Sequence, residues 1–99
     1  MIPIPITVPP SRIVAQEFTL GGVAAKQERI IPENKRRTMF YAQNVGLAAG
    51  RFSILDKNRN ELINNVRKPV WLVTTDELIL KNLGSPQTAH VCIAEIITI

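Results

Sequence analysis

Residues 88–99 read Thr88-Ala89-His90-Val91-Cys92-Ile93-Ala94-Glu95-Ile96-Ile97-Thr98-Ile99, and this closing run decides the fold class. Ala89, Val91, Ile93, Ile97 and Ile99 recur every second residue, which is the period of an extended chain and not of a helix. One row of side chains is therefore apolar, and Glu95 is its exception. His90 and Cys92 fall on the other row.

Working back from this run, Gly84-Ser85-Pro86 marks a turn. Before it, residues 76–82 admit two readings. Thr74-Thr75-Asp76-Glu77 has the form of a capping box, and Leu78, Leu80 and Leu83 could follow it as a helix of about two turns closed at Gly84. Residues 78–81 read equally well as a strand leading into the final hairpin, and that reading is preferred here. Further strands are expected at residues 70–75, 51–55 and 38–44, the last with Met39 and Tyr41 opposite Phe40 and Ala42. Polar turns separate them at Asp56-Lys57-Asn58-Arg59-Asn60 and Pro32-Glu33-Asn34-Lys35, with a loop between Gly46 and Gly50. Residues 12–20 and 23–31 flank Gly21-Gly22 and read as a hairpin. Roughly seven strands with turns every 8–12 residues predict an all-β chain, a sandwich or a barrel. The expectation is a single small β-sandwich, jelly-roll-like domain over residues 11–99, preceded by an extended proline-rich arm over residues 1–10.

The arm has its own pattern. Ile2, Ile4, Ile6 and Val8 alternate with Pro3, Pro5, Thr7 and Pro9. Alternate prolines lack amide hydrogens and exclude a central strand, yet they hold the chain straight. Such a segment suits lying along a surface with its isoleucine row buried. On another subunit it is an assembly arm; on its own domain it is packing.

With 99 residues, the chain has room for one domain and none for a catalytic domain plus a cofactor domain. Apolar residues make up 45% and charged residues 20%, the balance of an ordinary globular protein. The first basic residue is Arg12, after several prolines, so no secretory leader is read; nor is there an apolar run of about 20 residues. Cys92 stands alone and implies no disulfide. A soluble protein made in the cytoplasm is expected. The net charge of +4 is uneven: residues 29–68 carry nine basic and three acidic side chains, and the remainder is −2. Lys35-Arg36-Arg37 is the densest point. Such a cluster suits an anionic partner, either nucleic acid or an acidic protein surface, or it is simply a solvated turn.

Chemistry is harder to find. His90 and Cys92 share a face, but a zinc site needs three or four ligands and no other histidine or cysteine exists, so the pair is read as core packing. Asp76-Glu77 are neighbours in a polar stretch and poor acid–base candidates. No phosphate-binding loop, dinucleotide fingerprint or calcium loop is present. Neither an enzyme nor a cofactor or metal protein is expected. A small nucleic-acid-binding β-barrel stays in view because Lys35-Arg36-Arg37 precedes Phe40-Tyr41. Those two aromatics point to opposite faces of a strand, which weakens it.

The run Pro32-Glu33-Asn34-Lys35-Arg36-Arg37, leading into Gln43-Asn44-Val45-Gly46, resembles a pattern in small β-sandwich structural proteins of tailed bacteriophages. A proline- and asparagine-containing turn there precedes a basic residue, an apolar strand and a Gln-Asn turn. The short strand at residues 51–55 and the final strand at 89–95 are similar too, so the resemblance spans residues 30–99. The stretch 57–68, with Asn58, Asn60, Asn64 and Asn65, departs from it. The resemblance implies a virion structural protein, foremost a capsid decoration (cement) protein, with a head–tail or tail-associated component as the alternative. It implies the major capsid protein or other virion proteins as partners, a homo-oligomer (trimer or dimer), residence in the capsid after assembly in the host cytoplasm, and no membrane. The partner-binding residues expected from the chain's own pattern are Ile2, Pro3, Ile4, Pro5, Ile6 and Val8 in the arm, with Lys35, Arg36 and Arg37 in the basic turn.

Overall fold

The computed structural model describes residues 10–21, 27–45, 50–83 and 88–99. Eight strands lie there: β1 (Ser11–Leu20), β2 (Glu28–Ile31), β3 (Arg37–Asn44), β4 (Phe52–Asp56), β5 (Glu61–Ile63), β6 (Val70–Leu72), β7 (Leu78–Asn82) and β8 (Ala89–Thr98). They form two four-stranded antiparallel sheets with orders β1-β8-β3-β6 and β2-β7-β4-β5. The pairings are nested: β1 with β8, β2 with β7, β3 with β6 and β4 with β5. An antiparallel ribbon rolled up on itself gives this order, the jelly-roll form of the β-sandwich. The all-β sandwich expected from alternation is the observed fold.

Alternation also places the core. Ala89, Val91 and Ile93 of β8 are fully buried and share one cluster with Phe40 and Ala42 of β3, Phe52 and Ile54 of β4, and Leu78 and Leu80 of β7. Leu78 and Leu80 lie in β7, so residues 78–82 are a strand and no helix forms over 76–82. The Thr74 hydroxyl accepts the Asp76 N–H at 3.1 Å, a local turn that starts no helix.

The expected hairpin across Gly21-Gly22 is not formed. All ten residues of β1 pair with β8, from Ser11↔Thr98 to Leu20↔Ala89, whereas β2 pairs with β7 in the other sheet. A full-length ladder with β8 outweighs one with a strand of four residues, and residues 22–26 of the expected hairpin lie outside the described residues. Strand β5 was not foreseen. It is three residues long and follows a turn in which the Asp56 carboxylate accepts the N–H groups of Asn58 (2.8 Å) and Asn60 (2.9 Å).

Glu95 is explained by Arg37. Regular alternation would put Arg37 on the same face as Met39 and Tyr41, away from the core. A β-bulge between Arg37 and Met39 shifts the register from Arg37↔Ile97 to Met39↔Ile96 and turns Arg37 inward. Its side chain is fully buried, and Nη1 meets the Glu95 carboxylate at 3.0 Å. Nε donates to the Thr74 carbonyl (2.9 Å), Nη1 to that of Pro32 (3.3 Å) and Nη2 to that of Asp76 (2.6 Å). One guanidinium thus joins β3, β8, the β2–β3 turn and the β6–β7 connection. Buried charge is tolerable only when paired and hydrogen-bonded in this way.

Candidate docking surface

The sheet β1-β8-β3-β6 has an inner face in the core and an outer face that nothing in the chain's described residues covers. Register fixes its rows. Ile13, Ile96 and Met39 lie side by side, then Ala15, Ala94, Tyr41 and Trp71, then Glu17, Cys92 and Gln43, then Thr19 and His90. Cross-strand neighbours on one face are in contact range, so the first two rows make a continuous apolar strip. Ile13 is 71% exposed and Trp71 59%, and Val73, two residues beyond Trp71, is 80% exposed. Tyr41 and Trp71 meet with ring centroids 4.7 Å apart at a 52° tilt. The Tyr41 hydroxyl donates to the Gln43 side-chain carbonyl, which fixes the phenol ring in this row. Among these outward residues Glu17 is the only Asp, Glu, Lys or Arg. An apolar strip of this kind marks a contact surface more often than a scatter of single exposed residues does.

Two shallow hollows adjoin the strip at the β6–β7 connection. One, of about 520 Å³, is lined by Arg37, Thr38, Val73, Thr74, Thr75 and Asp76. The other, of about 390 Å³, includes Leu62, Leu72, Val73 and the carboxylates Asp56, Asp76 and Glu77. Among the described residues no group of three His, Cys, Asp or Glu side chains is arranged to hold a metal ion.

The expected site residues separate. Arg37 is corrected: buried in its ion pair, it offers no guanidinium to a surface partner. Lys35 and Arg36 are exposed in the turn before β3, where the Asn34 side chain accepts the Arg36 N–H at 2.9 Å. Ile2, Pro3, Ile4, Pro5, Ile6 and Val8 lie outside the described residues. The basic middle of the sequence is not one patch. Arg29 reaches the Gln16 side chain (3.2 Å) and stands 4.4 Å from the centre of the Phe18 ring. Arg59, at φ 66°, forms a two-pronged pair with Glu28, both contacts at 2.8 Å. That pair holds the Glu28 carboxyl below its ordinary value and raises Arg59. Arg51, Arg67 and Lys68 are exposed near the start of β4, at the sandwich end opposite Lys35 and Arg36.

His90 and Cys92 are also corrected. They sit on the outer row and not in the core: His90 is exposed, Cys92 half-buried, and the His90 Nδ1 lies 3.1 Å from the Thr19 hydroxyl. Ile13, Met39, Trp71, Val73 and Ile96 were not among the expected site residues. A signal for the strip was present. Residues 91–94 and 96–97 are apolar on both rows, as in a strand covered on two sides.

Compared with family models, with curated proteins and with solved structures, the chain matches none of them.

Proposed function

We infer that this chain is a virion structural protein, a capsid decoration (cement) protein that docks its outer β1-β8-β3-β6 face on the shell. The observation that carries the reading is the uncovered strip of Ile13, Ala15, Met39, Tyr41, Trp71 and Ile96 on a sandwich whose opposite face already forms the core. A jelly roll is a frequent capsid-protein architecture, although fold alone names no function. The resemblance over residues 30–99 adds the phage context. In this role the shell supplies the missing third layer, Trp71 and Tyr41 act as aromatic anchors, and the protein performs no catalysis. A head–tail or tail-associated position uses the same surface and is the alternative within the class.

The nucleic-acid reading is less well supported. Tyr41 and Trp71 could stack bases, but Glu17 is the only Asp, Glu, Lys or Arg in the surrounding rows, and stacking platforms pair aromatics with basic side chains. The exposed Arg51, Arg67 and Lys68 stand at one end of the sandwich and are its remaining support.

The test is co-sedimentation of the purified chain with shells prepared without it. The expected result is saturable binding that Trp71→Lys lowers by more than about thirtyfold, the loss of a hot-spot residue worth at least about 2 kcal/mol. Failure to bind, alongside tight retention of single-stranded DNA at moderate salt, would replace this reading with the nucleic-acid one.

A further inference from the structure

Among the described residues β8 is the one strand paired with β1, and the backbone polarity of the other β1 edge can be worked out. The Ile99 N–H donates to the Pro10 carbonyl at 2.9 Å, and Ser11 opposes Thr98. On the far side of β8, the Thr98 N–H reaches the Arg36 carbonyl and the His90 carbonyl accepts from Val45. Antiparallel ladders alternate. Arg12, Val14, Gln16, Phe18 and Leu20 therefore bond to β8, while the N–H and C=O groups of Ile13, Ala15, Glu17 and Thr19 point away from the sheet. β1 is the longest edge strand of the sandwich, and its ten residues contain no proline. Edges of this kind recruit further strands.

Read from its sequence as an extended strand, the amino-terminal arm has one usable side. Laid out extended, Ile2, Ile4, Ile6 and Val8 direct their N–H and C=O groups to one edge. Pro3, Pro5, Thr7 and Pro9 occupy the other, where three of the four have no N–H. Such a strand can join a sheet along its isoleucine side and then blocks further addition along its proline side. Set antiparallel to β1, the isoleucines oppose Ile13, Ala15, Glu17 and Thr19, and directly opposed residues share a face. The isoleucine side chains then extend the apolar strip beside Ile13.

The arm's own β1 is a poor recipient. Pro10 still lies in line with β1, because its carbonyl bonds to Ile99. A tight return at Pro9-Pro10 needs positive φ at its first central residue, and proline is fixed near −65°. A longer return would consume Val8 and Ile6, the nearest pairing residues. We propose that the arm of one copy adds as a fifth strand to the β1 edge of a second copy, so that each subunit donates one arm and receives one. This goes beyond the docking reading: it describes how copies join each other, whatever surface they later cover.

The experiment is sedimentation velocity on the full-length chain over a wide concentration range, with no shell present. The wild type is expected to form a discrete oligomer. Ile4→Pro with Ile6→Pro removes two amide donors from the pairing side and keeps the arm apolar and stiff. It should weaken each arm–edge contact by about thirtyfold, at about fivefold per net hydrogen bond. Thr7→Pro stiffens the side already blocked and should leave association unchanged. Ala15→Pro blocks the recipient edge at an outward-facing amide, a place where edge strands accept proline, and should weaken association in parallel. A wild type that stays monomeric overturns the proposal. So does an Ile4→Pro/Ile6→Pro variant that associates like wild type, or a Thr7→Pro variant that loses as much. Because no shell is used, failure here leaves the docking reading untouched, and loss of shell binding leaves this one untouched.

Discussion

Replacing Glu95 by alanine strips the buried Arg37 of the one anionic partner it has among the described residues, while its other contacts remain. Nη1 loses the 3.0 Å bond, in a site where the arginine side chain is wholly buried and Glu95 is about one-tenth exposed. Breaking a buried pair from one side costs about 3–5 kcal/mol, because an uncompensated charge is left behind. That is a large share of the 5–15 kcal/mol that holds a typical domain folded. Glu95→Gln keeps an acceptor in place but loses the charge assistance, and about 1–2 kcal/mol is expected. Arg37→Met should cost at least as much as Glu95→Ala, since it also orphans the Thr74, Pro32 and Asp76 carbonyls. In the double variant Arg37→Met/Glu95→Ala no charge is buried, and those half-buried carbonyls need water, at about 1 kcal/mol each. The double variant should therefore be more stable than Arg37→Met alone, and the pair coupling should exceed about 2 kcal/mol. Urea unfolding followed by far-ultraviolet circular dichroism measures all four. A cost below about 1 kcal/mol for Glu95→Ala, or additive single costs, would refute the claim that this pair locks the β-bulge into the core.

Other expected outcomes concern the surface. Trp71→Lys should cost about 1 kcal/mol of stability, the loss of its ring contact with Tyr41, while greatly weakening shell binding; circular dichroism and co-sedimentation separate the two. Lys35→Ala with Arg36→Ala should leave the urea midpoint unchanged. If this turn meets an acidic partner, binding becomes weaker and less dependent on salt, whereas an unaltered salt slope returns both residues to the solvent. Acid stability follows from two carboxyls held below their ordinary values, Glu28 by the Arg59 hydrogen bond and Asp56 by the Asn60 backbone N–H. A depressed carboxyl contributes stability above its unfolded value and loses it as pH falls through the folded value. Stability should thus be level above about pH 5 and decline below about pH 4.5, and Glu28→Gln should shallow that decline in a pH series of urea midpoints.

The strands were legible wherever one face is buried, because burial imposes a two-residue period on sequences such as 89–93, whereas residues 78–80 are apolar and buried on both rows and carry no such period. Pairing was less legible. Period two says nothing about which strand lies beside which, and two glycines after β1 suggested a hairpin that the longer β8 ladder displaces. Arg37 was placed among exposed cations because a bulge, which leaves no clear mark in residue types, turns it inward. Glu95 was the available clue: a carboxylate in an apolar row requires a buried donor, although three adjacent basic residues could have supplied it. The outer strip escaped notice because its members come from four strands, and register alone brings Ile13, Ile96 and Met39, or Ala94, Tyr41 and Trp71, into line.

The central claim, that this sandwich is a piece of a shell, is tested most directly by quantitative mass spectrometry of purified virus particles that encode it. The account predicts a copy number of the same order as the major shell protein. Absence of the chain from the particles would contradict it.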